Sequence, residues 1–276
     1  DIGQCLHLRR VLFRSPPPDY LTVLVGGRFD MADQFFVDRV NRANPDPINT
    51  YDTAFSPRVG VVIKPLESLS LYTSYTESFN PVIGRSVDGD LFVPERGRQF
   101  EAGLKADLLD DRLALTLAYY DLQRSNVSTQ DPNPDNLGFQ VQIGEQTSSG
   151  IEADLVGEIL PGWNLIASYA YTDARISNDT QFEEGLRLPN VPEHAASLWT
   201  SYEIQDGDLA GLGVGLGLYF QGERNGNLFS PFILPGYTRT DAALFYRRDG
   251  FSAQLNVQNL FDVRYFEGAR DQIRVI

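Results

Sequence analysis

The 276-residue chain carries a formal net charge of −14 at pH 7, with 23 Lys and Arg against 37 Asp and Glu. This balance argues against a nucleic-acid partner, because phosphate binding relies on clustered basic side chains. One Cys excludes an internal disulfide, and two His leave little for a metal site or a His-based catalytic centre. The sequence has no run near the ~20 apolar residues of a membrane helix.

The first fifteen residues differ from the rest of the chain. The sequence begins with Asp1 rather than Met and has no charged-then-apolar signal segment, which indicates an internal fragment. Residues 9–15 (RRVLFRS) also resemble the translation of a sequencing adaptor. We therefore expect residues 1–15 to be a non-native leader. After the break at residues 16–18 (PPP), we expect one folded unit over residues 20–276.

From residue 20 onward the chain divides into about eleven strand-like segments of alternating polarity. The clearest is 100–108, where the apolar Phe100, Ala102 and Leu104 alternate with polar or small residues. Residues two apart cannot share one face of a helix. The predicted strands are 20–30, 54–64, 69–79, 100–108, 113–123, 139–159, 164–176, 191–204, 212–218, 236–247 and 251–258.

The connections between these segments alternate between long and short, and the short ones contain Gly, Pro and Asp. Outer-membrane β-barrels have short periplasmic turns, long extracellular loops, and strands of about ten residues that cross an apolar band of ~25 Å. The pattern therefore predicts an all-β, antiparallel transmembrane barrel wall. The long connections are 31–53, 80–96, 126–138, 177–189 and 225–235.

Aromatic residues near the strand ends fit the interfacial girdles of such a barrel. Taken singly, each would also suit the core of a soluble all-β protein, and the ordered loop lengths decide between the two interpretations. These aromatic residues are Trp163, Tyr169, Tyr171, Tyr202, Phe220, Tyr246 and Phe261.

Seven blocks of the chain, in this order, resemble the TonB-dependent outer-membrane receptors, in particular the ferric-siderophore receptors. The resemblance implies about eleven strands of a 22-stranded barrel whose lumen is filled by an N-terminal plug domain. We expect this sequence to contain no plug, and we expect the chain alone neither to close nor to transport. The blocks are 71–80 (LYTSYTESFN), 94–105 (PERGRQFEAGLK), 144–155 (GEQTSSGIEADL), 161–174 (PGWNLIASYAYTDA), 188–194 (LPNVPEH), 234–244 (LPGYTRTDAAL) and 256–265 (NVQNLFDVRY).

The resemblance implies a receptor in the outer membrane of a Gram-negative bacterium, surrounded by lipid. It would import iron–siderophore complexes with energy from TonB-ExbB-ExbD, reached through the plug. No catalytic residue, cofactor or resident metal is expected, and the Fe(III)-siderophore would be the transported ligand. The long loops would form the ligand mouth. Aromatic and cationic side chains there could bind the chelate, although each could instead brace its own loop. These candidates are Phe79, Arg85, Phe92, Arg96, Phe229 and Phe232.

Two further groups are predicted to face the lumen. The first is an acidic row, which the resemblance implies would face the plug. A charge that faces the lumen costs little free energy compared with one that faces lipid. The second is a run of alternate glycines that would let the plug approach the wall or permit strong strand coiling. The acidic row is Glu101, Asp107, Glu152, Asp154 and Glu158, and the glycines are Gly213, Gly215 and Gly217.

Other functions remain open at this point. The fold does not fix the ligand, so TonB-dependent uptake of haem, cobalamin or a glycan is an alternative. A passive porin-like barrel is another. A barrel enzyme would need a Ser/His or Asp/His constellation. Outside the expected leader only His194 is available, and it lies at the predicted start of a strand, so we expect no enzyme.

Overall fold

The computed structural model of the chain describes residues 2–14, 20–36, 48–131, 133–136, 139–228 and 232–269. Within these ranges the fold is all-β, with a single 3₁₀ turn at Pro134–Asn136. The strands are β1 (Ile2–Arg14), β2 (Leu21–Phe36), β3 (Ile48–Leu66), β4 (Leu69–Asn80), β5 (Glu95–Leu108), β6 (Leu113–Gln130), β7 (Gln140–Leu160), β8 (Trp163–Asn178), β9 (His194–Glu203), β10 (Leu212–Gln221), β11 (Arg224–Asn225), β12 (Ile233–Leu234), β13 (Tyr237–Arg248) and β14 (Phe251–Val257). In the described part of the chain, no helix is long and apolar enough to cross a membrane.

Twelve of these strands form one antiparallel sheet, in the order β1 to β10, then β13 and β14. The two-residue strands β11 and β12 form a separate ribbon inside the β10–β13 connection. Each of the eleven predicted segments corresponds to one strand of the large sheet, so the predicted fold class is confirmed. The described sheet is open, because β1 and β14 are its two edges and do not pair with each other.

The long and short connections alternate as predicted. The short connections are 67–68, 109–112, 161–162, 204–211 and 249–250, and the long ones run at the opposite end of the sheet. In the 249–250 turn, Asp249 and Gly250 have φ values of 50° and 82°. Positive φ at both central residues matches the right-handed twist of the flanking strands. We call the end with the long connections the rim.

Several strands extend farther toward the rim than predicted. β2 continues to Phe36 and β6 to Gln130, so the loops predicted at 31–53 and 126–138 are partly strand. Sequence periodicity missed these extensions because it depends on an apolar face. Beyond the lipid both faces of a strand meet water, so the alternation disappears while the backbone ladder continues.

Residues 2–14, which we excluded from the fold, form β1 and pair with β2 from Ile2↔Phe36 to Arg14↔Leu24. The sheet therefore extends beyond the predicted unit of residues 20–276. A foreign origin for residues 1–15 stays a prediction, because an open sheet edge is a template for any strand-forming sequence.

The two faces of the sheet differ as the alternation predicts. On β10, Val214, Leu216 and Leu218 are 56%, 43% and 36% exposed, whereas the intervening glycines are buried. We call the first side the outer face and the second the inner face. Elsewhere the outer face carries further large exposed side chains. These include Phe55, Val59, Leu71, Phe100, Tyr119, Ile151, Tyr169, Leu244 and Leu255. Such a surface suits contact with lipid.

Candidate ligand site on the inner face

A cavity of about 490 Å³ lies on the inner face near the rim, across strands β7 to β10 and β13. Its floor includes one row of residues in register across five strands. The row runs from Asp154 through Ser168, Ser197 and Tyr219 to Arg239. At about 4.8 Å per strand, the backbones of Asp154 and Arg239 are ~19 Å apart along the wall. The site therefore has an acidic end and a basic end.

The basic end is held by its neighbours. The Arg239 guanidinium pairs with Asp241 at 3.0 Å and donates to the Tyr265 hydroxyl at 3.4 Å. It also lies 4.6 Å from the centroid of the Tyr219 ring. A carboxylate and a ring face fix the cation in the wall of the cavity, where its positive charge would suit an anionic ligand group.

The acidic end includes Glu152 and Asp154, which are exposed and line the cavity. Glu101, two strands away on the same face, accepts hydrogen bonds from the Tyr72 hydroxyl at 2.7 Å and from Gln99 at 3.1 Å. Glu158 pairs with Asn164 on the same face, and its carboxylate accepts the Gly162 backbone N–H at 2.7 Å. It therefore caps the 161–162 turn.

Sequence reasoning missed Tyr219, Tyr237 and Arg239 as site residues, although all three line the cavity. A signal was present. Counted by twos from the outward Leu244, Arg239 and Tyr237 fall on the inner face. The predicted ligand residues were assigned to the long loops, and the rim ends of the strands were not considered.

Two predicted ligand residues lie in strands rather than in a loop. Phe79 on β4 and Arg96 on β5 are direct cross-strand partners. They are in phase with Tyr75 and Phe100, which are exposed on the outer face. The structure thus places both side chains on the face opposite the cavity.

The other predicted residues lie in the long loops. Phe92 is 7% exposed, and a Cβ on Gly84 would collide with its ring. Phe92 therefore packs inside the 81–94 connection. The backbones of Arg85 and Leu91 form an antiparallel β-bridge in the same connection. Phe232 packs in the same way on Gly226. Phe229 lies outside the described residues. The structure does not join these side chains into one cluster with the cavity, and their ligand role stays a prediction.

The structure indicates a third role for the glycines of β10, besides the predicted approach of the plug and strong strand coiling. A Cβ at Gly215 or Gly217 would lie 2.7 or 2.8 Å from the Trp199 ring, and one at Gly213 would collide with Phe245. The glycines make room for aromatic rings from the neighbouring strands, which lie flat along the inner face.

His194 contacts two tyrosines. Its Nδ1 is 2.9 Å from the Tyr169 hydroxyl, and its ring lies 5.2 Å from that of Tyr171. Over the described ranges, no three His, Cys, Asp or Glu side chains are arranged to hold a metal ion.

A bidentate ion pair holds the 179–193 connection at the rim. Arg187 donates to both carboxylate oxygens of Glu193, at 2.8 and 2.5 Å. The hydrogen bond from Arg187 lowers the pKa of Glu193, and the same bond raises the pKa of Arg187. Both groups therefore stay charged at neutral pH.

The family profile described as "TonB dependent receptor-like, beta-barrel" matches residues 15–260. The chain belongs to the TonB-dependent receptor family. It is 38% identical over 257 residues to the Metal-pseudopaline receptor CntO of Pseudomonas aeruginosa, covering 91% of this chain and 36% of the relative. It is 34% identical over 252 residues to the Ferrichrome outer membrane transporter/phage receptor of Escherichia coli K12, covering 90% and 33%.

Solved structures agree with this assignment. The siderophore receptor PiuA from Acinetobacter baumannii superposes with a TM-score of 0.83 at 28% identity, covering 97% of this chain and 40% of that one. The pyoverdine receptor FpvA from Pseudomonas aeruginosa PAO1 gives 0.81 at 26% identity, with 97% and 39% covered. The chain spans about a third of the length of its curated relatives. It is thus part of the barrel wall of an outer-membrane TonB-dependent receptor.

Proposed function

We propose that the protein to which this wall belongs imports a metal–siderophore complex, most directly a ferric siderophore, across the outer membrane. TonB-ExbB-ExbD would supply the energy through a plug domain inside the barrel. The observation that carries the proposal is the cavity at the rim end of the inner face, where Arg239 and tyrosine rings line one end. The related receptors are named for ferrichrome and for ferrioxamine B.

The chemistry of the cavity suits such a ligand. Metal chelates of this class present anionic oxygen donors and flat ring or amide surfaces. Arg239 offers charge and N–H donors, and Tyr219 and Tyr237 offer ring faces and hydroxyls. The proposed role is to bind and pass the ligand unchanged, and the relatives are named as receptors and transporters.

One observation supports a second ligand class. The relative at 38% identity is named for a metal–pseudopaline complex rather than for a ferric siderophore. The acidic end of the cavity, Glu152 and Asp154, would suit a ligand that also carries cationic groups. A chelate of a metal other than iron is therefore the second candidate.

Direct binding to the purified full-length receptor tests the proposal. We expect one of ferrichrome, ferrioxamine B, ferric pyoverdine and metal–pseudopaline to quench its fluorescence at micromolar concentration or below. Arg239→Ala should weaken that binding about tenfold or more, since it removes a charge-assisted contact of ~1.5–3 kcal/mol. Arg248→Ala is the matched control, because Arg248 pairs with Asp249 at the opposite end of β13. Failure of all four chelates to bind would contradict the proposal.

A further inference from the structure

Beyond β14 the chain folds toward the inner side of the rim. It turns at Asn259 and Asp262, whose φ values are 52° and 50°. The Asn259 side chain closes this turn by bonding both the N–H and the C=O of Val263 at 2.9 Å. The Asn259 backbone N–H donates to Asp241, which is buried on the inner face, at 2.8 Å. We call residues 258–269 the inner-rim segment.

The inner-rim segment reaches the wall of the cavity. The ring of Tyr265 stacks on that of Tyr237, with centroids 4.3 Å apart and planes at 19°. Its hydroxyl accepts the hydrogen bond from Arg239. Tyr237 and Arg239 both line the cavity, so the segment lies against two residues of the cavity wall.

Arg224 holds the other side of this stack. It lies on β11, is only 3% exposed, and donates to the Phe266 carbonyl. Its guanidinium is 5.8 Å from the centroid of the Tyr237 ring. The ion pairs found among the described residues do not include Arg224, and its Nη1 has no hydrogen-bond partner. The Phe266 carbonyl and the Tyr237 ring are therefore the contacts that hold this buried guanidinium in place. Burial of the charge is costly without such partners.

Asn190 extends the same assembly to a third connection. Its side chain accepts the Ala269 N–H at 2.7 Å and donates to the Ala269 C=O at 2.8 Å. Its backbone N–H donates to the Asn225 C=O at 2.7 Å, next to Arg224. The connections 179–193 and 222–236 and the inner-rim segment are therefore joined by short contacts around Arg224 and Asn190.

We propose that Arg224 is a positioning residue that clamps the inner-rim segment against Tyr237 and joins three rim connections into one unit bordering the ligand cavity. It acts through the Tyr237–Tyr265 stack and the Phe266 carbonyl and does not contact the ligand. The effect on ligand affinity rests on the proposed function. The clamp itself is a property of the protein without ligand.

Hydrogen exchange on the full-length receptor without ligand tests the clamp. Arg224→Ala should raise amide exchange about tenfold in peptides covering the inner-rim segment and residues 222–236, and leave strands β5–β8 unchanged. Arg224→Lys should give an intermediate rise, because a lysine can still donate to the Phe266 carbonyl but lacks the planar group that lies against Tyr237. Arg248→Ala should change nothing at the rim. Unchanged exchange in Arg224→Ala would overturn the inference.

Ligand affinity of the same variants separates positioning from direct contact. We expect Arg224→Ala to raise the Kd of the chelate bound by the wild type about tenfold, with an unaltered thermal transition of the barrel. Asn190→Gly removes the two side-chain bonds to Ala269 and keeps the left-handed backbone, whose φ is 62°. It should produce a smaller rise in both Kd and exchange. A higher Kd with unchanged exchange would overturn positioning, since Arg224 would then contact the ligand. If the wild type binds no chelate, the proposed function fails, and the exchange data still decide on the clamp.

Discussion

At the level of single residues, the glycines of β10 leave space on the inner face that aromatic rings of the neighbouring strands occupy. Gly215 and Gly217 face Trp199 at distances that exclude a Cβ. Alternation in the sequence places these glycines on the inner face, but it could not show which ring lies over them, because that ring comes from a neighbouring strand. The same limit hid the clamp, since Arg224, Tyr237 and Phe266 are brought together only by the folded rim.

Gly217→Ala should destabilise the full-length receptor by about 1–3 kcal/mol, because the added methyl group overpacks against the Trp199 ring. The urea midpoint of the folded, heat-modifiable form measures this. Gly60→Ala is the control, since a Cβ there has no neighbour nearer than 3.6 Å. In a Trp199→Ala background, Gly217→Ala should cost less than it does in the wild type. An equal cost in both backgrounds would show that Trp199 is not the cause.

The Arg187–Glu193 pair makes the 179–193 connection sensitive to acid. The pKa of Glu193 is lowered from its ordinary 4.5 by the hydrogen bond from Arg187. A lowered folded pKa means that the pair stabilises the fold above 4.5, and that this contribution disappears as the pH falls through the folded pKa. The difference in thermal transition between wild type and Glu193→Gln should therefore be present at neutral pH and shrink in acid. A constant difference would contradict the role of this pair.

At the scale of elements, alternation and turn chemistry predicted eleven strands and the order of their connections. They did so because each strand presents one apolar face to lipid and one polar face inward, which is a strict period of two. The rim ends of the strands and the cavity could not be read in the same way. Both faces meet water there, and the site is built from residues on five different strands.

Strand β5 tests the assigned faces. Leu104 pairs with Leu71 and Leu117 on the outer face, whereas Lys105 lies on the inner face, 5.8 Å from the Tyr72 ring centroid. Leu104→Arg should impair assembly, since a charge facing lipid at mid-membrane costs about 2–4 kcal/mol. Lys105→Ala should have little effect. Heat-modifiable gel mobility of the full-length receptor measures both, and equal effects would contradict the orientation of β5.

At the scale of the whole molecule, the described sheet is an open wall with edges at β1 and β14. Unpaired ladders cannot face hydrocarbon, where each unsatisfied backbone group costs several kcal/mol. The wall therefore needs further strands to close, and a cavity on its inner face becomes a ligand site only within the closed barrel.

The 276-residue chain by itself should accordingly fail to form a compact, urea-resistant monomer in detergent or lipid. Gel mobility with and without heating measures this. The full-length receptor, prepared in the same way, is the control and should show the folded band. A folded monomeric band from the isolated chain would contradict this expectation.

Uptake of an iron-loaded chelate by cells that carry the full-length receptor tests TonB-dependent import. The chelate is the one that the purified receptor binds, and cells with and without a functional TonB are compared. We expect iron to accumulate with time only in cells with TonB, and we expect deletion of the receptor gene to abolish the accumulation. Equal accumulation in both strains would indicate a passive pore and contradict the assignment of this wall to an energised receptor.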